Sequence, residues 1–393
     1  MRHHHKNSEP VLKVLHVFKT YYPDTYGGIE EVIYQLATHS AQYGIQAEVF
    51  TVSKNVSVPA DDMYDGHRVH RVKQDFEFAS TTFSLSAFRQ FRKVARDFDV
   101  IHYHFPWPVM DLLHFSGGHG KPSVVTYHSD IIKQKFLLQL YKPVQQRFLK
   151  SVQAIVATSP NYAKSSAVLR EFPNKLSTIP IGIAPVALTD EIWERIRHWE
   201  KVLAGPFFLF IGALRYYKGL DTLVEAAAKV SYPIVIAGAG SEEVRLKEAV
   251  QKKGLSNVMF VGPVSENDKY ALLYLSYCFV FPSFTRTEAY GIVLVEASMY
   301  GKPMITCEIG TGTTYINQDK ETGIVVPPQD PDAFASAMEQ LWNAPELARQ
   351  YGHHAQQRYE RYYTAERMMQ RYAELYKNVL MQGLPRSEIQ NRE

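Results

Sequence analysis

Two glutamates, Glu288 and Glu296, stand with seven residues between them, just after the apolar run CFVFPS (278–283). That spacing puts Glu288 in a strand-to-helix loop and Glu296 about two turns into the following helix. The amides of Ala289, Tyr290, Gly291 and Ile292 then fall among the unpaired donors of a helix N-terminus, which suit a diphosphate. Carboxylates flanking such amides can accept from hydroxyl groups on either side of the phosphates, which describes a sugar-nucleotide site. Read alone, the pair is equally two solvated acids at a helix start, where acids are favoured. Other residues shift that balance. Arg215 and Lys218 lie in GALRYYKG (212–219), at the end of the apolar run FFLFIGA (207–213). An arginine fork and a lysine point charge at a strand's C-terminal end both fit a pyrophosphate. Gly27 and Gly28 lie between the apolar run VLKVLHVF (11–18) and a helix-like stretch that carries Glu30. Adjacent glycines at such a junction let the backbone approach a ligand closely. His128 and Asp130 close the strand-like run SVVTYH (123–128).

The segment EAYGIVLVE (288–296), with FPS upstream and EASMYGKP (296–303) overlapping its end, resembles the E-(x)7-E motif of the retaining glycosyltransferases of family 4. Three further elements follow the same family's order. Gly27, Gly28 and Glu30 resemble its G-G-x-E loop; Arg215, Lys218 and Gly219 resemble its R-x-x-K-G element; IPIGI (179–183) is similar to its interdomain I-P-N-G-V/I, with Ile181 in place of the asparagine. His128 resembles the histidine that the family carries at this strand end, although here Ser129 separates it from Asp130. The resemblance implies an α/β protein of the GT-B architecture, two doubly wound Rossmann-like domains facing a cleft. It implies a catalytic set of His128, Glu288, Arg215 and Lys218. It implies a donor site to which Gly27, Gly28, Gly238, Ala289, Tyr290, Gly291, Ile292 and Glu296 also belong. Glu296 would hold the ribose, Glu288 the sugar hydroxyls, and Arg215 and Lys218 the pyrophosphate. His128 would contact the donor sugar, and the loop at Gly238 would border the base. Retention in this family is described as same-face attack within an ion pair, so no protein nucleophile is assigned. Within the family, the opening stretch and the EAYGIVLVEAS segment look like bacterial mannosyltransferases of lipopolysaccharide O-antigen assembly. That similarity implies GDP-mannose as donor and a polyprenyl-diphosphate-linked glycan as acceptor. A UDP-hexose or UDP-N-acetylhexosamine transferase remains open, as do a sugar-nucleotide epimerase and a non-catalytic nucleotide-sugar-binding protein.

The elements that must position these residues follow a βαβ rhythm. Apolar runs at 11–18, 47–52, 67–72, 100–105, 123–128 and 153–159 alternate with helical stretches, which predicts a parallel sheet with helices on both faces. A second alternation starts at residue 207, with runs at 207–213, 233–240, 258–262, 278–283, 304–310 and 323–328. The expected domains are 1–187 on the acceptor side and 188–363 on the donor side. The resemblance further implies that a last helix, about 364–382, returns to the first domain.

Composition is that of a globular chain: 393 residues, 46% hydrophobic and 21% charged. Cys278 and Cys307 both fall in apolar runs and read as buried free thiols of a reducing compartment. The opening residues MRHHHKNSEP have no apolar h-region, so no secretory signal is expected. The net charge of +3 conceals a local excess: residues 81–180 hold 13 Lys/Arg against 5 Asp/Glu, and residues 131–170 hold no acid at all. In that stretch Lys133, Lys135, Lys142, Arg147 and Lys150 interleave with Phe136, Leu140, Tyr141 and Phe148, which suits an anionic membrane surface. A cytoplasmic protein bound to the inner face of the membrane is the resulting expectation. No nucleic-acid motif accompanies the basic stretch. Gly238-Ala239-Gly240 starts a dinucleotide fingerprint, but Glu243 stands where its third glycine is required. Asp97 and Asp99 read as a solvated turn rather than a metal motif. His102 and His104 share a strand face, but the sequence offers no third ligand nearby. With Arg215, Lys218 and loop amides at the diphosphate, no metal and no cofactor are expected.

Overall fold

The computed structural model describes residues 11–55, 61–78, 81–118, 120–131 and 135–383. The chain forms two compact units. One comprises Met1–Thr158, Ser166–Gly182 and Ala365–Glu393, the other Ser159–Ser165 and Ile183–Thr364. The division after Gly182 precedes the 187–188 boundary read from the sequence, and Ser159–Ser165 groups with the second unit.

The first unit contains β1 (Leu12–Val17), β2 (Ile45–Ser53), β3 (Asp61–Tyr64), β4 (His67–Lys73), β5 (Phe76–Phe78), β6 (Thr81–Phe83), β7 (Val100–Phe105), β8 (Ser123–Tyr127), β9 (Ala154–Ala157) and β10 (Leu176–Thr178). Eight of them form one sheet in the order β10-β9-β8-β7-β1-β2-β4-β3, while β5 and β6 make a separate hairpin. All pairings in the large sheet are parallel except β3 with β4. The inner strands are covered on both faces, which is why they read as near-continuous apolar runs.

Strand β7, VIHYHF, is buried at all six positions yet contains two histidines. Buried imidazoles need polar partners, and sequence-distant groups supply them. Nδ1 of His102 lies 2.7 Å from the Tyr376 hydroxyl and Nε2 lies 2.7 Å from Thr126 Oγ1. Thr126 Oγ1 in turn lies 2.7 Å from the Tyr372 hydroxyl. Both tyrosines belong to the C-terminal helix Ala365–Gly383, which inserts Met368, Met369, Tyr372 and Tyr376 into the first unit's core.

The second unit holds β11 (Phe208–Ile211), β12 (Ile234–Ala237), β13 (Val258–Gly262), β14 (Cys278–Phe281), β15 (Met304–Cys307) and β16 (Gly323–Val326). These strands are all parallel, in the order β13-β12-β11-β14-β15-β16. Chain progression reverses between β11 and β14, the topological switch point at which open α/β sheets place their ligands. The two cysteines, one on β14 and one on β15, are buried and free.

Candidate functional site

Arg215 and Lys218 follow β11, and Glu288 follows β14, so the charged residues singled out from the sequence sit on either side of that switch point. The loops that carry them touch. Gly219 has φ +69°, and a Cβ there would fall 2.0 Å from the Pro282 carbonyl oxygen. Only glycine meets both demands, and its presence lets Lys218 turn toward the β14 loop. The Phe284 N–H donates to Tyr217 O at 3.2 Å and ties the loops together.

Lys218 Nζ lies 2.5 Å from Glu288 Oε2, with both side chains nearly buried. The ammonium also sits 4.7 Å from the centre of the Phe281 ring. Ser283 Oγ donates to the same carboxylate oxygen at 3.4 Å. Arg215 is exposed, and its guanidinium has no ion-pair partner among the described residues. Gly291 caps the helix Ile292–Met299, beside the buried Ala289 and Tyr290. Glu296 lies in the second turn of that helix, 8% exposed, with Oε1 2.6 Å from Lys269 Nζ. Burial pulls the Lys269 ammonium down, but the carboxylates of Glu296 and Glu266 outweigh it and hold the group above its ordinary range. Neither Lys269 nor Ser283 was readable as a site residue. Lys269 comes from the preceding helix, 27 positions away, and no local pattern announces it.

Gly238 directly follows β12, and a Cβ there would fall 2.0 Å from the Gly212 carbonyl oxygen. The G-x-G at 238–240 thus serves a close approach of the β11 and β12 loops, consistent with the missing dinucleotide fingerprint.

In the first unit, Gly27 caps the helix Gly28–Thr38, and both glycines are exposed. Glu30 is turned inward and accepts from Thr20 Oγ1 and Thr25 Oγ1, each at 2.8 Å, so it braces the glycine loop. His128, at the end of β8, is 6% exposed and lies with Nε2 3.0 Å from His104 Nδ1. Asp130 accepts from Ser166 Oγ at 2.7 Å and from the Tyr127 hydroxyl at 3.0 Å.

One expectation needs correction. His102 and His104 do have a third histidine beside them: His16, whose ligating atom and theirs all lie within 4.8 Å of one another. The parallel register of β1 and β7 sets His16 against His102, a pairing that the sequence separation hides. All three are fully buried, and ring nitrogens of each already take part in hydrogen bonds, His16 Nδ1 lying 3.1 Å from His104 Nε2. Burial lowers the pKa of His16 to about 3 and likewise that of His128, and it holds His102 and His104 well below the usual imidazole range. The cluster is therefore neutral at physiological pH.

Of the acid-free stretch, Lys133 lies outside the described residues. The helix Lys135–Ser151 buries Phe148 and Leu149 and exposes Leu140, Lys142, Arg147 and Lys150.

The family pattern described as "Glycosyltransferase Family 4" matches residues 26–186, and that described as "Glycosyl transferases group 1" matches residues 191–358. The chain is 48% identical to O-antigen chain mannosyltransferase C of Escherichia coli, across 94% of this chain and 99% of that protein. It is 51% identical to D-rhamnosyltransferase WbpZ of Pseudomonas aeruginosa, across 90% and 93% of the two chains. Among solved structures, sucrose-phosphate synthase of Thermosynechococcus elongatus superposes with a TM-score of 0.74 at 21% identity, covering 94% of this chain and 99% of that one.

Proposed function

The chain belongs to glycosyltransferase family 4, and from that premise we propose that it transfers a hexose of D-manno configuration from a nucleotide-diphospho-sugar to a growing O-antigen glycan. The carrying observation is the arrangement at the β11/β14 switch point, where an exposed arginine and a lysine–glutamate pair share one end of the sheet. In this reading Arg215 and Lys218 stabilise the charge that develops on the departing diphosphate, a fixed electrostatic contribution that needs no protein nucleophile. Glu288, held next to Lys218, becomes the acceptor for sugar hydroxyls once the diphosphate shares the ammonium. Glu296 does the same for the ribose, with the Lys269 ammonium beside its carboxylate. His128 offers a neutral ring nitrogen to the sugar.

The sugars in the two relatives' names, mannose and D-rhamnose, differ only in the oxygen at C6, which supports a manno-configured donor and leaves C6 as the discriminating position. GDP-mannose is the proposed donor and a polyprenyl-diphosphate-linked glycan the proposed acceptor. No cofactor is needed in this reading, and turnover should not require a divalent cation.

The test is a thermal-shift screen of GDP, UDP and their sugars against the intact protein. A nucleotide sugar at a hundred times its Kd should add about 2.7 kcal/mol of stability. GDP-mannose or GDP-D-rhamnose should stand out, with transfer to a lipid-linked acceptor as the second readout. A shift confined to UDP-sugars would reject the donor assignment.

No helix among the described residues is long and apolar enough to cross a membrane. We propose that the enzyme docks on the anionic inner face of the cytoplasmic membrane through the exposed side of Lys135–Ser151, where the lipid-linked acceptor resides. Each basic side chain near such a surface contributes about 1 kcal/mol at low salt. Changing Lys142, Arg147 and Lys150 together to Gln should therefore weaken sedimentation with phosphatidylglycerol vesicles by roughly a hundredfold and leave the nucleotide-induced thermal shift unchanged. Undiminished vesicle binding would reduce the stretch to a solvated helix.

A further inference from the structure

We infer that His16 and His104 are positioning residues: with His128 they form a chain of three imidazoles that sets whether the outward ring nitrogen of His128 donates or accepts. The chain runs from His16 Nδ1 to His104 Nε2 at 3.1 Å, and from His104 Nδ1 to His128 Nε2 at 3.0 Å. His128 Nδ1 is the atom left over, and it has no hydrogen-bond partner among the described residues. It belongs to the most exposed member of the chain, just past the C-terminal end of β8.

A neutral imidazole carries one N–H and one acceptor nitrogen. Each link between two such rings needs one donor and one acceptor, so the links cannot be set independently. Either all three rings carry the proton on Nδ1, and His128 presents an N–H outward, or all three carry it on Nε2, and His128 presents a lone pair. Protonating a ring would release this constraint by making both nitrogens donors, but burial disfavours the cation throughout the chain. His102 packs alongside, its ring centre 4.3 Å from that of His104 and 4.9 Å from that of His16. It does not transmit, because its own partners are the hydroxyls of Thr126 and Tyr376, which rotate to suit either tautomer. Only imidazole-to-imidazole links carry the constraint, so a substitution at His104 reaches the outward ring nitrogen of His128 through the chain.

The consequence for turnover rests on the proposed function, in which His128 meets the donor sugar; the tautomer alignment does not. Protein labelled with 15N-histidine, free of any donor, should show His16, His104 and His128 in one shared tautomer by two-bond 15N–1H correlation, with assignments from single His→Gln variants. In His104→Phe the His128 signal should split into a tautomer mixture, and kcat should fall about tenfold, the scale of one lost hydrogen bond, with the donor KM within twofold. His104→Asn, whose amide stands where Nδ1 stood, should restore kcat to within about threefold of the parent. Opposite tautomers at His104 and His128 in the parent overturn the inference, as does a His128 tautomer that His104→Phe leaves unchanged. If His104→Phe does not fold, the parent spectrum decides alone. Absence of transfer with every sugar nucleotide would instead reject the proposed function and leave the tautomer result standing.

Discussion

Transfer should fall at least tenfold in Arg215→Ala, and by about a hundredfold in Lys218→Ala, when each is assayed with the preferred nucleotide sugar. A hydrogen bond to a charged group contributes about 1.5–3 kcal/mol, and removing a donor aimed at developing charge costs somewhat more. The two variants should differ in stability. Arg215 is exposed and pairs with nothing among the described residues, so its loss should leave Tm within a degree or so of the parent. Lys218 is the partner of a carboxylate that is only 9% exposed, and truncating it strands Glu288 without its counter-charge. Breaking one side of a buried pair costs about 3–5 kcal/mol. Adding Glu288→Ala to Lys218→Ala should recover much of that stability and none of the activity, since the lost activity belongs to the diphosphate and the lost stability to the orphaned acid. Near-normal turnover in both single variants would rule out this end of the sheet as the donor site.

The second large effect is on acid stability. His16, His102, His104 and His128 are neutral in the folded state because burial disfavours their cations, and they ionise in the unfolded chain with ordinary values near 6.5. A group whose folded pKa is depressed contributes its full stability above the unfolded value and loses it as pH falls toward the folded one. Here the window opens near 6.5 and extends toward 3. Asp111 acts oppositely by one proton, because burial holds its carboxyl well above the usual range. The four histidines outnumber the one carboxyl, so the unfolded state binds more protons than the folded state and stability should fall as pH drops below about 6. Urea midpoints measured from pH 7.5 to 4.5 should be flat at the top and collapse below pH 6. A flat profile down to pH 5 would mean that the cluster is charged or wet.

Much of the architecture is legible because the inner strands of both large sheets are parallel, and inner parallel strands are long apolar words. Each of the twelve runs marked in the sequence holds a strand. What escapes is informative. β3 reads DDMY and lies on the sheet's edge with no residue buried, so burial leaves no imprint on its pattern. β5 and β10 likewise bury none of their three residues. In the site, the residue types at 215, 218, 288 and 296 are readable from the chemistry of a diphosphate. Their partners are not. Lys269 reaches Glu296 from another helix, and His16 meets His104 across 88 positions through strand register. Nothing in AERMMQRYAELYKNVLMQG says which unit receives this helix. The deciding hydroxyls bond groups 246 and 274 positions earlier.

Those long reaches set an order in time. The second unit is nearly contiguous, from Ile183 to Thr364, and its strands have all been synthesised before Tyr372 and Tyr376 exist. At about 5–20 residues per second, some 250 residues separate Thr126 from its tyrosine by roughly 12–50 s of translation. Throughout that interval the first sheet is on hand but its polar core positions lack their last partners, while the second unit is free to close. Nascent chains usually mature from the N-terminus onward. In this protein the first unit's polar core can be completed only once the helix Ala365–Gly383 has been made, after all of the second unit's strands.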